Sequence, residues 1–276
     1  MENLISINNN MKDREFEFPT FIPNSNSKIK LSDPVILYNN GINWKLIPLE
    51  IFLMYPLIHD VYYDTQKNPQ NNITTPILIY VCPYTLFSSV YFTKLTLNDY
   101  VYNNNITLIE PKDNLLYIPI KNEFYDYKSN EKVSKYIRRN ESRLMTLRNA
   151  ISMYPDTLFI DMQKIDIISP LVSSNYLMNN HIPYETLSYP KNHPAKKIVY
   201  IIEYKSKKIN HYKYSIIIPD DPQQKINTFD IVKNGFNDYF SKMIKKIRDK
   251  GGIIYTCYWF SWSGIHKKEN YKIITL

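Results

Sequence analysis

The chain has 276 residues and a mass of 32.9 kDa, room for one large domain or two ordinary ones. With 44% hydrophobic residues it can build a packed core, which excludes disorder for most of its length. No apolar run approaches the roughly 20 residues that span a bilayer. Residues 1–10 lack the basic start and apolar stretch of an export signal, and two cysteines, Cys82 and Cys257, are too few for a disulfide framework or a four-cysteine zinc site. The expected location is intracellular and cytoplasmic, with no membrane partner.

The formal charge of +8 can attract nucleic acid. The composition offers a blander source for it. There are 30 Asn and 25 Tyr but only two Ala, Ala150 and Ala195. Lys, Asn, Ile and Tyr share A/T-rich codons and Ala does not, so a coding bias of the kind found in large DNA viruses and some parasites produces the Lys surplus without functional pressure. The three Asn-x-Ser/Thr sequons, at Asn72, Asn105 and Asn140, are expected by chance at this Asn content.

Residues 1–30 read as an extended tail, although Phe16, Phe18, Phe21 and Ile22 allow it to lie on the body. The first α+β half is expected over residues 31–161. Residues 35–38 form a strand, Asn39-Asn40-Gly41 a hairpin turn tolerant of positive φ, and residues 44–47 the return strand. Pro48 opens a helix through Leu49, Phe52 and Leu53 that Pro56 kinks or ends. Residues 62–75 are polar and read as a loop, and residues 77–82 (ILIYVC) as a buried strand. Further strands are expected at residues 90–95, 106–109, 115–120 and 157–160, and a helix over 141–153 with Leu144, Leu147 and Ile151 on one face.

Residues 162–196, with Pro170, Pro183, Pro190 and Pro194, form a Pro-rich connection containing one short helix. The second half, residues 197–276, opens with a hairpin of strands 197–205 and 212–218. Phe236, Tyr239, Phe240, Met243, Ile244 and Ile247 mark a helix closed by Gly251-Gly252, and a strand follows at residues 253–259. The expected fold class is α+β, mostly antiparallel sheet with three or four helices, the second half packed on the first.

Residues 33–92 carry Asp33-Pro34-Val35, Gly41, Pro48-Leu49-Glu50-Ile51, Asp60, Pro76 and Tyr80-Val81-Cys82-Pro83 in that order. This series resembles a prokaryotic family known as domain of unknown function 3179. Tyr154-Pro155-Asp156-Thr157 and Trp259-Phe260-Ser261-Trp262 are similar to two later segments of that family, and together suggest two related halves. The departures fall on the reactive positions. The family's His and Glu correspond to Tyr55 and Pro56, and the second Cys of its Cys-Pro-Leu-Cys to Thr85. The family has no settled activity, so the resemblance implies a scaffold and little chemistry.

Three constellations are candidates for chemistry. Cys82-Pro83-Tyr84-Thr85 follows a strand, where a thiol of lowered pKa could act as a nucleophile, with His59 and Asp60 as base and orienting acid. The alternative is a small buried Cys and an ordinary capping His. Glu203-Tyr204-Lys205 in a strand matches the acid-x-Lys of restriction-endonuclease-type nucleases. There an upstream Asp, here Asp161 or Asp166, completes a Mg²⁺ site. The alternative is an edge strand defended by charge. Tyr255, Tyr258, Trp259, Phe260 and Trp262 near His266, Lys267 and Lys268 suit base stacking, a protein interface or a core. The five His show no ligand spacing and five Gly exclude Gly-rich phosphate loops, so neither a metal centre nor a cofactor is expected outside the Mg²⁺-dependent nuclease alternative.

The leading expectation is a non-catalytic interaction or structural protein, cytoplasmic or virion-associated, on a scaffold that has lost its reactive residues. It would bind a protein partner or itself, with Trp259, Phe260 and Trp262 as interaction residues. A Glu203/Lys205 nuclease and a Cys82 thiol enzyme are the alternatives.

Overall fold

The fold comes from a computed structural model that describes residues 3–7, 10–23, 29–64, 73–205, 212–218, 252–266 and 271–275. The N-terminal segment is extended as β1 (Leu4–Ser6), β2 (Glu15–Glu17) and β3 (Phe21–Pro23), with a 3-10 turn at Met11–Arg14. β4 (Pro34–Asn39) and β5 (Trp44–Pro48) make the expected hairpin. Its turn requires glycine: Gly41 has φ +96°, and a Cβ there would meet the Tyr63 carbonyl oxygen at 2.0 Å. α1 (Leu49–Met54) ends before Pro56, whose ring cannot continue a helix. β6 (Leu57–Asp64) and β7 (Ile73–Val81) then pair antiparallel from Leu57↔Tyr80 to Asp64↔Ile73.

A run of short strands follows: β8 (Ser88–Tyr91), β9 (Thr96–Tyr102), β10 (Asn105–Glu110), β11 (Leu115–Ile118), β12 (Glu123–Asp126), β13 (Lys132–Val133), β14 (Arg139–Asn140) and β15 (Arg143–Thr146). α2 (Leu147–Met153) is capped by the Thr146 hydroxyl and leads to β16 (Leu158–Ile160). The connection holds α3 (Ser174–Met178). β17 (Ile198–Lys205) and β18 (Tyr212–Ile218) form the second expected hairpin. β19 (Ile253–Tyr258), α4 (Trp259–Ile265) and β20 (Tyr271–Thr275) complete the described chain.

These strands build four sheets, ordered β1-β9-β10-β11-β12-β13, β14-β8-β7-β6-β2, β15-β4-β5-β16-β3 and β19-β17-β18-β20. β2 with β6, β16 with β5, and β18 with β20 are parallel; the other pairings are antiparallel. The class is α+β with the sheets dominant. The main apolar core is continuous from Ile7 to Trp262, so both halves of the sequence contribute to one interior. A smaller cluster of Val35, Leu37, Leu46, Met145, Leu147, Ala150 and Phe159 lies where α2 covers the third sheet. No helix among the described residues is long and apolar enough to cross a membrane.

Four local expectations are revised. His59 and Asp60 lie in β6 and not at a helix end, because Pro56 stops α1 and the β-favouring run LIHDVYYD pairs with β7. Strand structure likewise reaches into the stretch read as a loop, to Asp64 on one side and from Ile73 on the other. The helix expected over residues 141–153 begins only at Leu147, since residues 143–146 pair with β4 as Arg143↔Leu37 to Thr146↔Pro34. The N-terminal tail adds a strand to three of the sheets and buries Ile7 and Met11. The helix expected over residues 236–248 lies outside the described residues.

Candidate functional site

Cys82 directly follows β7 and is fully buried. The turn after it is closed by Leu86 N donating to the Cys82 carbonyl at 2.8 Å and by Cys82 N donating to the Phe87 carbonyl at 2.9 Å. The thiol itself donates to the Asn104 carbonyl at 3.3 Å. Burial raises its pKa, with the Thr85 hydroxyl and nearby backbone pulling partly back. A proton is therefore held on sulfur, opposite to what a nucleophile needs. Thr85 donates its hydroxyl to Asn105 Oδ1 at 2.8 Å.

Asn103, Asn104 and Asn105 organise this region. The first two take positive φ, 46° and 63°, as the turn from β9 to β10 requires. All three are buried, and each side-chain amide both donates and accepts a hydrogen bond. Asn103 donates to the Ser261 carbonyl and accepts from Leu187 N. Asn104 accepts from Tyr184 N at 3.0 Å and donates to the Tyr184 carbonyl. Asn105 donates to Ser261 Oγ at 2.8 Å. The turn thus fixes the Cys82 loop, the 184–187 segment and α4 to one another.

The acids singled out by sequence lie at sheet junctions. Asp60, on β6 of the second sheet, accepts from Tyr38 OH and Lys45 Nζ of the third sheet, each at 2.7 Å, and all three are buried. Burial, then the Asp60 charge, pushes the Tyr38 pKa well up, so this phenol stays protonated and donates. Glu203, on β17 of the fourth sheet, is 4% exposed and ion-paired with Arg139 on β14 of the second. Burial opposes the Arg139 charge, but Glu203 and the phenols of Tyr117, Tyr255 and Tyr91 more than offset it, and the guanidinium pKa is raised. Arg139 Nη1, Tyr91 OH and Ser89 Oγ have no hydrogen-bond partner among the described residues. Glu15 of β2 makes a third junction: it meets His59 Nε2 of the second sheet at 3.1 Å and accepts from Leu97 N of the first at 2.6 Å.

The sequence candidates are not gathered into one site. His59 faces Glu15, Asp60 faces Lys45, and Cys82 faces the Asn turn. The Glu203 carboxylate is met by Arg139. Of the proposed upstream acids, Asp166 is exposed and Asp161 caps a 3-10 turn, accepting from Gln163 N at 3.2 Å. Lys205 lies in β17, with its backbone paired to Tyr212. Among the described residues no group of three or more His, Cys, Asp or Glu could hold a metal ion. Trp259, Phe260 and Trp262 are fully buried, which corrects their assignment as interaction residues. α4 turns them inward because β19 delivers it directly against the core. Trp259 Nε1 donates to the Pro190 carbonyl, and Trp262 stacks on His266.

Two features escaped sequence reasoning. One is Lys196, buried with its ammonium donating to the Tyr176 carbonyl at 2.6 Å and lying 3.2 Å from that ring's centroid. Burial lowers its pKa to about 8. The other is Arg139. A signal for it existed: of six Arg in a Lys-biased chain, four fall at positions 138, 139, 143 and 148. Arg143 also is buried, pairing with Glu141 and donating to Tyr154 OH at 3.1 Å. Arg139 and Arg143 are the buried, ion-paired members of that run, and Arg138 and Arg148 are exposed.

No family model, no curated protein and no solved structure matches this chain.

Proposed function

We propose that the chain is a non-catalytic interaction or structural protein, built on a scaffold of the kind it resembles, with the reactive positions given over to holding sheets together. The observation that carries this reading is the pairing of Glu203 with Arg139 across two sheets. The most nuclease-like acid in the sequence is spent as an internal tie. Asp60 and Cys82 support the same reading, one bridging to Lys45 and the other donating from a buried thiol. On this reading the chain would bind a protein partner or a second copy of itself.

The test is direct. Purified protein is incubated with labelled single- and double-stranded DNA and RNA plus Mg²⁺ or Mn²⁺, and separately with an aromatic disulfide reagent. The expected result is no cleavage, and Cys82 labelling at the rate of unfolding. Cleavage that Glu203→Gln abolishes in a folded protein, or rapid stoichiometric labelling of native Cys82, would overturn the reading.

A further inference from the structure

Residues 3–7 and 10–23 make no strand pairing with one another. Each strand of this segment instead forms the outer strand of a different sheet: β1 on β9, β2 on β6 and β3 on β16. Each strand has three residues, too short to persist alone in water. The body therefore supplies all the order the segment has. Between the strands it is held by the buried Ile7 and Met11 side chains and by a few polar clips. Met11 N donates to Asp99 Oδ1 at 2.9 Å, and Ile7 N to the Asp99 carbonyl at 2.7 Å. Arg14 reaches the carbonyls of Met54, at the C-terminal end of α1, and Ser169. Glu15 bridges His59 and Leu97 N. Phe16 packs on Tyr55 with ring centroids 5.4 Å apart, and Lys45 lies over the Phe21 ring at 4.1 Å.

We propose that this segment is an exchangeable strap, and that the edges of β9, β6 and β16 beneath it are a binding surface for the same segment of a second copy of this chain. Backbone pairing and polar clips of this kind are indifferent to which copy donates the strap. The identical segment is the occupant because only it presents Met11, Arg14, Glu15, Phe16 and Phe21 at the spacing the three edges require. Uncovered, those edges would offer rows of unpaired N–H and C=O groups. Strap exchange takes the self-association named above as its setting but stands on different observations, and it can fail while the non-catalytic reading survives.

The experiment uses the full chain with a protease site placed between residues 23 and 29, cut after folding. A fluorescein-labelled peptide of residues 3–23 is added, and anisotropy and molecular mass are followed. The expected result is that the peptide replaces the cut strap and unlabelled peptide competes it off. A Phe16→Pro peptide should fail to bind, since proline removes a pairing N–H. In the uncut chain, Arg14→Ala/Glu15→Ala should raise peptide uptake at least about tenfold through loss of the clips, with crosslinks joining strap to body between copies at high concentration. A cut chain that keeps its own strap against excess peptide, a chain that unfolds on cutting, or an uncut double variant that takes up no more peptide than the parent, each overturns the proposal.

Discussion

Replacing Glu203 by alanine would leave the Arg139 guanidinium charged inside the core, where burial already opposes its charge. With charge centres about 4 Å apart and an effective dielectric near 20, the attraction lost is on the order of 4 kcal/mol. Removing one partner of a buried pair costs about 3–5 kcal/mol for the same reason. Arg139 begins with one amino group, Nη1, lacking a hydrogen-bond partner among the described residues. Replacing both residues, as Arg139→Met/Glu203→Leu, removes the stranded charge and should restore stability to within about 1 kcal/mol of the parent, or exceed it. Urea unfolding followed by fluorescence of the buried tryptophans gives the four free energies of the cycle. A coupling near zero, or a Glu203→Ala loss below about 1 kcal/mol, would refute the account of this pair as an inter-sheet tie.

Lys196→Met tests the buried amine. Its folded pKa of about 8 lies below the usual 10.5, so protonation is disfavoured in the folded state, and the contribution of Lys196 to stability should rise as pH increases between those values, against the fall that buried tyrosines of raised pKa impose. The variant should be more stable than the parent at pH 7, and the gap between the two should close as pH rises, as read from thermal unfolding of both across pH 7 to 11. Gly41→Ala should cost several kcal/mol, about what a left-handed position plus a backbone clash demands, and lower the unfolding midpoint in urea. Asn105→Ala strands the Thr85 hydroxyl and Ser261 Oγ. It should cost roughly 2–4 kcal/mol, and hydrogen exchange should speed up in α4 and the Cys82 turn together.

Much of the strand framework is legible in the residues alone. The 34–48 hairpin reads from an apolar run, Asn39-Asn40-Gly41 and a second apolar run, because Gly41 takes the turn's positive φ and the two Asn side chains accept from the turn's backbone N–H groups. The 198–218 hairpin and the buried β7 read the same way. Residues 143–146 mislead because Leu144, Leu147 and Ile151 keep a helical spacing, while pairing with β4 claims the first of them. A small buried thiol is among the readings the residues offer for Cys82, whereas the burial of Asp60 and Glu203 is not. Their roles are not legible, since each depends on a partner far along the chain: Arg139 lies 64 residues from Glu203.

By itself the sequence determined that the chain has a core, that two hairpins pair neighbouring strands, that Pro56 stops α1 and that Gly41 makes the first hairpin turn. These follow from nearest-neighbour sterics and apolar periodicity. Only the tertiary structure decided which acid meets which cation, that the Trp259–Trp262 cluster turns inward, and that the N-terminal segment spans three sheets. Those outcomes are fixed by burial and by distance between strands, quantities that a chain acquires only when remote segments exclude water from one another.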